Sequence, residues 1–167
     1  MKLLTFILLL ALSVTQCQNK PDSKSASKVP SEADLIEMNR SLISKDQRLI
    51  KEYMSKSDRT FRETGTGMWY SIISAGDDEK INTGDNVTFS YECSLIDGSA
   101  CYNGSRTLKV GFADAGSGVT EGLQLMGRGS DFIFIIPPYL AYGITGDGNK
   151  IPGRAILIYR IRIEEVN

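Results

Sequence analysis

Between Val87 and Leu95 the chain alternates without a break: Val87, Phe89, Tyr91, Cys93 and Leu95 are apolar, and Thr88, Ser90, Glu92 and Ser94 between them are polar. Successive side chains of an extended strand point to opposite faces, so a period of two describes a strand with one face buried and one wet. Asp97-Gly98 follows, a pair suited to a tight hairpin because glycine takes positive φ at little cost. A chain containing this segment is committed to an antiparallel sheet with a core on one side.

The rest of the C-terminal half supplies the partners. Trp69 to Ile73 is a short β-like run, and a second strand is expected around Leu108 to Phe112. Phe132 to Ile136 is apolar at every position, as in a central strand with a helix on one side. Ala155 to Ile163 closes the set, with Leu157, Tyr159, Ile161 and Ile163 on one face and Arg160 and Arg162 on the other. Val119, Leu123 and Met126 sit at helical spacing, bounded by Gly127 and Gly129. The predicted class is α+β, an antiparallel sheet wrapped on a short helix. Ahead of it, Leu35, Leu42 and Leu49 recur at sevens, flanked by Ile36, Ile43 and Ile50 and extended by Tyr53 and Met54. Pro30-Ser31 with Asp34 marks a start, so an amphipathic helix is expected over 31–56. Its stripe would pack on the domain, with a homodimer through a second copy as the alternative.

The chain has no histidine among its 167 residues. That removes Ser/His/Asp and Cys/His nucleophilic sites, histidine general-base chemistry and most catalytic zinc sites. Three cysteines with no CxxC pair are too few for structural zinc. A net charge of −1 gives no basic footprint for a nucleic-acid partner. No metal and no cofactor are expected.

The N-terminus reads as an address. Met1-Lys2 is a short positive region, and Leu3 to Val14 is an apolar run too short to span a bilayer but suited to a signal peptide. It ends at Val14-Thr15-Gln16-Cys17, which resembles a lipobox with Cys17 as the lipidated residue; Gln16 departs from the small residue usual there. An ordinary secretory signal cleaved nearby is the alternative. The organisation expected is a lipoprotein signal over 1–16, a flexible polar tether over 17–30, the helix over 31–56 and a domain over 64–167. The location that follows is the cell envelope, lipid-anchored to a membrane facing the periplasm, with outer-membrane placement only a weak preference.

In order along the last hundred residues, several segments resemble one family. Gly84-Asp85-Asn86-Val87 running to Asp97-Gly98, Glu121-Gly122-Leu123-Gln124-Leu125-Met126, Ile136-Pro137-Pro138-Tyr139-Leu140-Ala141-Tyr142-Gly143 and Ile151-Pro152 are similar to the motifs of FKBP-type peptidyl-prolyl cis-trans isomerases. With its anchored N-terminus the chain also resembles the FKBP-type lipoproteins associated with gliding motility in Bacteroidetes. The resemblance implies isomerase activity assisting the folding of proline-containing exported polypeptides. It makes Tyr142 the candidate hydroxyl for the substrate carbonyl and Tyr91 a second catalytic-pocket residue. Cys101, Tyr102, Val119, Ile151 and Tyr159 become substrate-binding positions.

The chemistry suits a chain without histidine. Rotation about an X–Pro bond faces a barrier of roughly 18–20 kcal/mol, but no bond breaks and no proton moves. An apolar pocket that favours the twisted, less polar amide is enough. Three departures from the family pattern bear on that pocket. Its usual Phe-Asp is Cys101-Tyr102, its floor tryptophan corresponds to Val119, and its second proline after Ile151-Pro152 is Gly153. Loss of the indole removes apolar surface of the order of 100 Å². A wider or repacked pocket follows, with weaker turnover of small peptides and weak binding of macrolides such as FK506. A non-catalytic FKBP-fold chaperone or assembly module is the alternative. Cys93 and Cys101 fall on opposite arms of the hairpin in diagonal positions, so free thiols are favoured over a bridge.

Overall fold

The alternating segment forms a ten-residue strand, Asn86–Leu95, and the Asp97-Gly98 turn folds the chain back into a second one, Ala100–Lys109. Gly98 takes φ +91°, the conformation for which glycine was expected there. The computed structural model describes residues 29–112 and 115–167. The signal segment 1–16, Cys17 and residues 18–28 of the tether lie outside the described residues.

In chain order the elements are α1 (Glu32–Ser55), β1 (Arg62–Glu63), β2 (Trp69–Ser74), β3 (Asn86–Leu95), β4 (Ala100–Lys109), α2 (Ser117–Gln124), β5 (Asp131–Ile136) and β6 (Leu157–Val166). A single 3-10 turn spans Pro138–Leu140. The strands make one six-stranded sheet in the order β1-β2-β5-β6-β3-β4, antiparallel at every pairing. The α+β class read from the sequence is the one observed.

Two local expectations need correction. The strand expected at 108–112 is β4, which begins eight residues earlier and ends at Lys109, leaving Phe112 72% exposed. Its register is dictated by the hairpin, Val87 opposite Leu108 and Cys93 opposite Tyr102. As an edge strand it needs few apolar residues, so Asn103 to Thr107 carry no alternation to read. The central strand has helices over both of its faces rather than one. Phe132, Phe134 and Ile136 of β5 join the main core with Leu123 of α2. Ile133 and Ile135 face the other way and pack with Ile156, Ile158 and Ile50 of α1.

The helix α1 opens with a reciprocal capping box in which the Ser31 hydroxyl accepts from the Asp34 N–H and the Asp34 carboxylate accepts from the Ser31 N–H. Its apolar stripe divides. Ile50 is 3% exposed, and Leu49, Tyr53 and Met54 pack beside it on the outer face of the sheet. Asp46 accepts a 2.7 Å ion-paired hydrogen bond from Arg154, tying the helix to the loop before β6. The first half is uncovered: Leu35, Ile36, Met38 and Ile43 are each about half exposed. Packing on the domain therefore accounts for the second half of the stripe, and the dimer expectation concerns the first. Among the described residues no helix is long and apolar enough to cross a membrane.

The divided stripe makes a stability prediction. Ile50→Ala should lower unfolding free energy by about 2–4 kcal/mol, the cost of a cavity in a packed core. Ile36→Ala, at a half-exposed site, should change it by less than about 0.5 kcal/mol. Urea unfolding of both variants checks this; comparable losses would contradict the division.

Candidate active site

Helix α2 lies across the inner face of the sheet at glycine-limited distance. A Cβ on Gly118 would sit 2.5 Å from Ile136 Cγ2 and 2.9 Å from the Leu140 carbonyl. A Cβ on Gly122 would meet the Phe134 ring at 3.1 Å. This approach fixes Val119, 8% exposed, as the floor of a cavity of about 460 Å³ between α2, β3, β4 and the segment after β5. The volume suits a few side chains of an extended peptide or a small ligand.

The walls are aromatic. Tyr91 from β3 and Tyr159 from β6 are diagonal neighbours across adjacent strands whose rings stack at 6.0 Å, and Phe89 tilts against Tyr91 at 6.2 Å. Tyr142, 42% exposed, stands at the rim on the turn that follows Pro138–Leu140, beside the Tyr159 hydroxyl. That turn is closed by the Gly143 N–H donating to the Pro138 carbonyl at 2.8 Å, while the Gly143 carbonyl accepts from the Arg154 N–H. A tyrosine held on a hydrogen-bonded turn at a cavity mouth is placed to offer its O–H to a ligand carbonyl. Burial, with the Cys93 thiol and Tyr142 beside it, pushes Tyr159 above the ordinary tyrosine range. Its hydroxyl therefore stays protonated at physiological pH.

Of the seven residues expected at the site, Tyr91, Tyr102, Val119, Tyr142 and Tyr159 line this cavity. Cys101 and Ile151 do not. Both are core residues, 4% and 2% exposed, and the Cys101 thiol is turned to the Ser99 and Lys150 carbonyls. The side of the hairpin on which Cys101 falls is set by a bulge between Cys93 and Ser94, which no local sequence pattern announces. Cys93 and Cys101 are free thiols, and burial pushes Cys93 up to about 11.

Sequence reading left out Phe89, Arg106, Ile136, Leu140, Ala141, Asp147 and Leu157, all of which line the cavity. Asp147 matters most. It belongs to Gly146-Asp147-Gly148-Asn149, a segment that carries turn chemistry and nothing more in the sequence. In the structure its Oδ2 accepts the Tyr102 O–H at 2.5 Å, and its Oδ1 accepts the N–H groups of Asn149 and Ile151 at 2.9 and 2.8 Å. The Tyr102 hydrogen bond, supported by the two backbone donors, holds Asp147 below the usual carboxylate range. The same bond raises Tyr102. Tyr102 on β4 thus meets an acid from the facing loop.

The family model for FKBP-type peptidyl-prolyl cis-trans isomerase matches residues 77–164. The chain belongs to that family. Curated relatives include a probable FKBP-type peptidyl-prolyl cis-trans isomerase FkpA of Neisseria meningitidis, 30% identical over 126 residues covering 73% of this chain and 45% of that protein. FkpA of Escherichia coli is 31% identical over 121 residues, 70% of this chain and 44% of that one. The chain thus spans a little under half the length of the curated relatives it matches. The fold agrees: the crystal structure of E. coli FkpA aligns with a TM-score of 0.65 at 23% identity, over 81% of this chain and 65% of that one. A peptidyl-prolyl cis-trans isomerase from Pseudomonas syringae aligns at 0.66 and 22% identity, over 77% of this chain and 95% of that one. The FKBP framework is therefore present.

The Asp147 contacts give a pH prediction with a definite sign. A carboxylate whose folded pKa is depressed contributes stability in full above its unfolded pKa, about 3.9, and loses it as pH falls through the folded value. Asp147→Asn should lower the melting temperature at neutral pH, and its deficit against the parent should close below about pH 4. A deficit that persists unchanged into strong acid would show that Asp147 acts by packing instead.

Proposed function

We propose that this FKBP-family protein is a peptidyl-prolyl cis-trans isomerase that assists folding of proline-containing exported polypeptides. The observation that carries the proposal is the convergence of Tyr91, Tyr142 and Tyr159 on one apolar-floored cavity, with a hydroxyl at the rim and no proton-transfer group required. A prolyl ring would rest on Val119 between the stacked rings, and the Tyr142 O–H would hold the preceding carbonyl as the amide rotates. The rate gain comes from preferring the twisted amide, which has lost its resonance and part of its polarity, over the planar one. The similarity to FkpA proteins supports the folding role. The apolar run Leu3–Val14 with Cys17 supports export and lipid anchoring in the cell envelope. Both segments lie outside the described residues.

Val119 favours a second reading in which the cavity grips extended segments with little catalysis. A valine offers less surface for a proline ring to stack on than an indole. An assembly or chaperone role would then rest on binding alone.

A protease-free fluorescence assay on an Ala-Leu-Pro-Phe peptide separates the two. The expected result for residues 31–167 is a clear acceleration that drops roughly tenfold in Tyr142→Phe, the scale of one hydrogen bond to the reacting amide. A folded protein that leaves the peptide rate unchanged would select the binding module.

The floor makes a separate prediction. FK506 should bind weakly to the parent and more tightly to Val119→Trp, with turnover rising in the same variant. Nanomolar binding by the parent would overturn the assignment of Val119 as a widened floor.

A further inference from the structure

Residues opposite one another in an antiparallel pair project from the same face of the sheet. On β4 the positions opposite Cys93, Tyr91, Phe89 and Val87 are Tyr102, Gly104, Arg106 and Leu108. Phe89 is 1% exposed and belongs to the core, so its partner Arg106 is a cation on the inner face. It is exposed and lines the cavity. Gly104 beside it carries no side chain, and a Cβ there would lie 3.8 Å from the Tyr91 ring. No side chain from that position therefore stands against the Tyr91 ring.

The cavity lining carries two charges, Arg106 and Asp147. They differ in how they are satisfied. Asp147 accepts from Tyr102, Asn149 and Ile151, so donors already surround its oxygens. Arg106 forms no ion pair with any described carboxylate. A second cation, Lys150, sits over the Tyr102 ring at 5.2 Å. A ligand entering this cavity meets one carboxylate already supplied with donors and one guanidinium that no described carboxylate engages.

We propose that Arg106 is a specificity-determining residue that accepts an acidic side chain next to the substrate proline, so that the site favours Glu-Pro and Asp-Pro segments. The inference rests on the isomerase reading for its turnover assay but not for its binding assay. The carboxylate would take the guanidinium fork in place of water while the prolyl ring occupies the aromatic walls. No bond forms or breaks, and the selectivity is electrostatic.

The test uses the full chain and four peptides, Ala-Xaa-Pro-Phe with Xaa as Glu, Gln, Leu or Lys. Gln is the neutral isostere that isolates charge. At low salt kcat/KM for the Glu peptide should exceed that for Gln by about two- to fivefold, the range of a partly exposed ion pair. The advantage should shrink at high salt as screening grows. It should fall to about one in Arg106→Gln and survive in part in Arg106→Lys, with the Lys peptide poorest in the parent. A Glu-to-Gln ratio of one in the parent, an unchanged ratio in Arg106→Gln, or a preference for Lys would overturn the proposal; the last would make Asp147 the dominant charge. If no peptide is turned over, the isomerase reading fails, and dissociation constants of the same four peptides by fluorescence anisotropy decide the charge preference alone.

Discussion

Helix α2 can lie against the sheet only where its backbone meets the strand without side chains between them. Gly118 rests on Ile136 and the Leu140 carbonyl, and Gly122 rests on the Phe134 ring. An interior packed at crystal-like density leaves no room for even one methyl at such a contact. With the helix held this close, Leu123 is fully buried, and Val119, a member of the same core, forms the cavity floor. The same contact holds the carbonyl of Leu140 beside the helix start, where the Ser117 hydroxyl donates to it at 3.3 Å. That fixes the turn carrying Tyr142. Floor and rim of the site therefore depend on one close approach between a helix and a strand.

The sheet then serves two separate purposes. Its inner face supplies the main core and the cavity walls, and alternate residues of β5 and β6 supply a second, smaller core under α1. Because Ile135 and Ile158 are buried from the α1 side, the strands that carry Phe134 and Tyr159 are supported from behind. Aromatic walls backed in this way keep their spacing, which a site relying on shape in place of acid–base groups requires. The Asp131 carboxylate, held low chiefly by its hydrogen bond from Arg160, joins β5 to β6 at the far end of the same pair through Arg160 and Arg162.

Two polar groups of the cavity, Tyr102 and Asp147, orient each other. Asp147 takes three donors and so acts as an anchor for the loop that bears it, linking the Gly143–Arg154 segment to β4 through Tyr102. Gly146 makes this loop feasible, since it takes φ +72° and a Cβ there would lie 2.2 Å from the Ile151 carbonyl. Tyr159 stays protonated because burial disfavours its phenolate. Such a site has hydroxyls to donate and apolar surface to offer, and it needs no group that changes charge during rotation of an amide.

The sequence by itself determined the α+β class, the capped N-terminal helix and the hairpin, and five of the seven residues it singled out line one cavity. Each of these is written in local periodicity, in a cap or turn residue, or in a short motif that the family shares. It also excluded histidine-dependent chemistry outright. The tertiary structure alone decided which half of the α1 stripe is covered and where β4 begins. It alone moved Cys101 and Ile151 into the core and made Asp147 and Arg106 part of the site. The physical reason is the same in every case. Tyr102 and Asp147 are 45 residues apart, and Asp46 and Arg154 are 108 apart. A contact over that separation, or the face chosen by a bulged strand, is set by how whole elements pack, and a pattern confined to neighbouring residues carries no record of it.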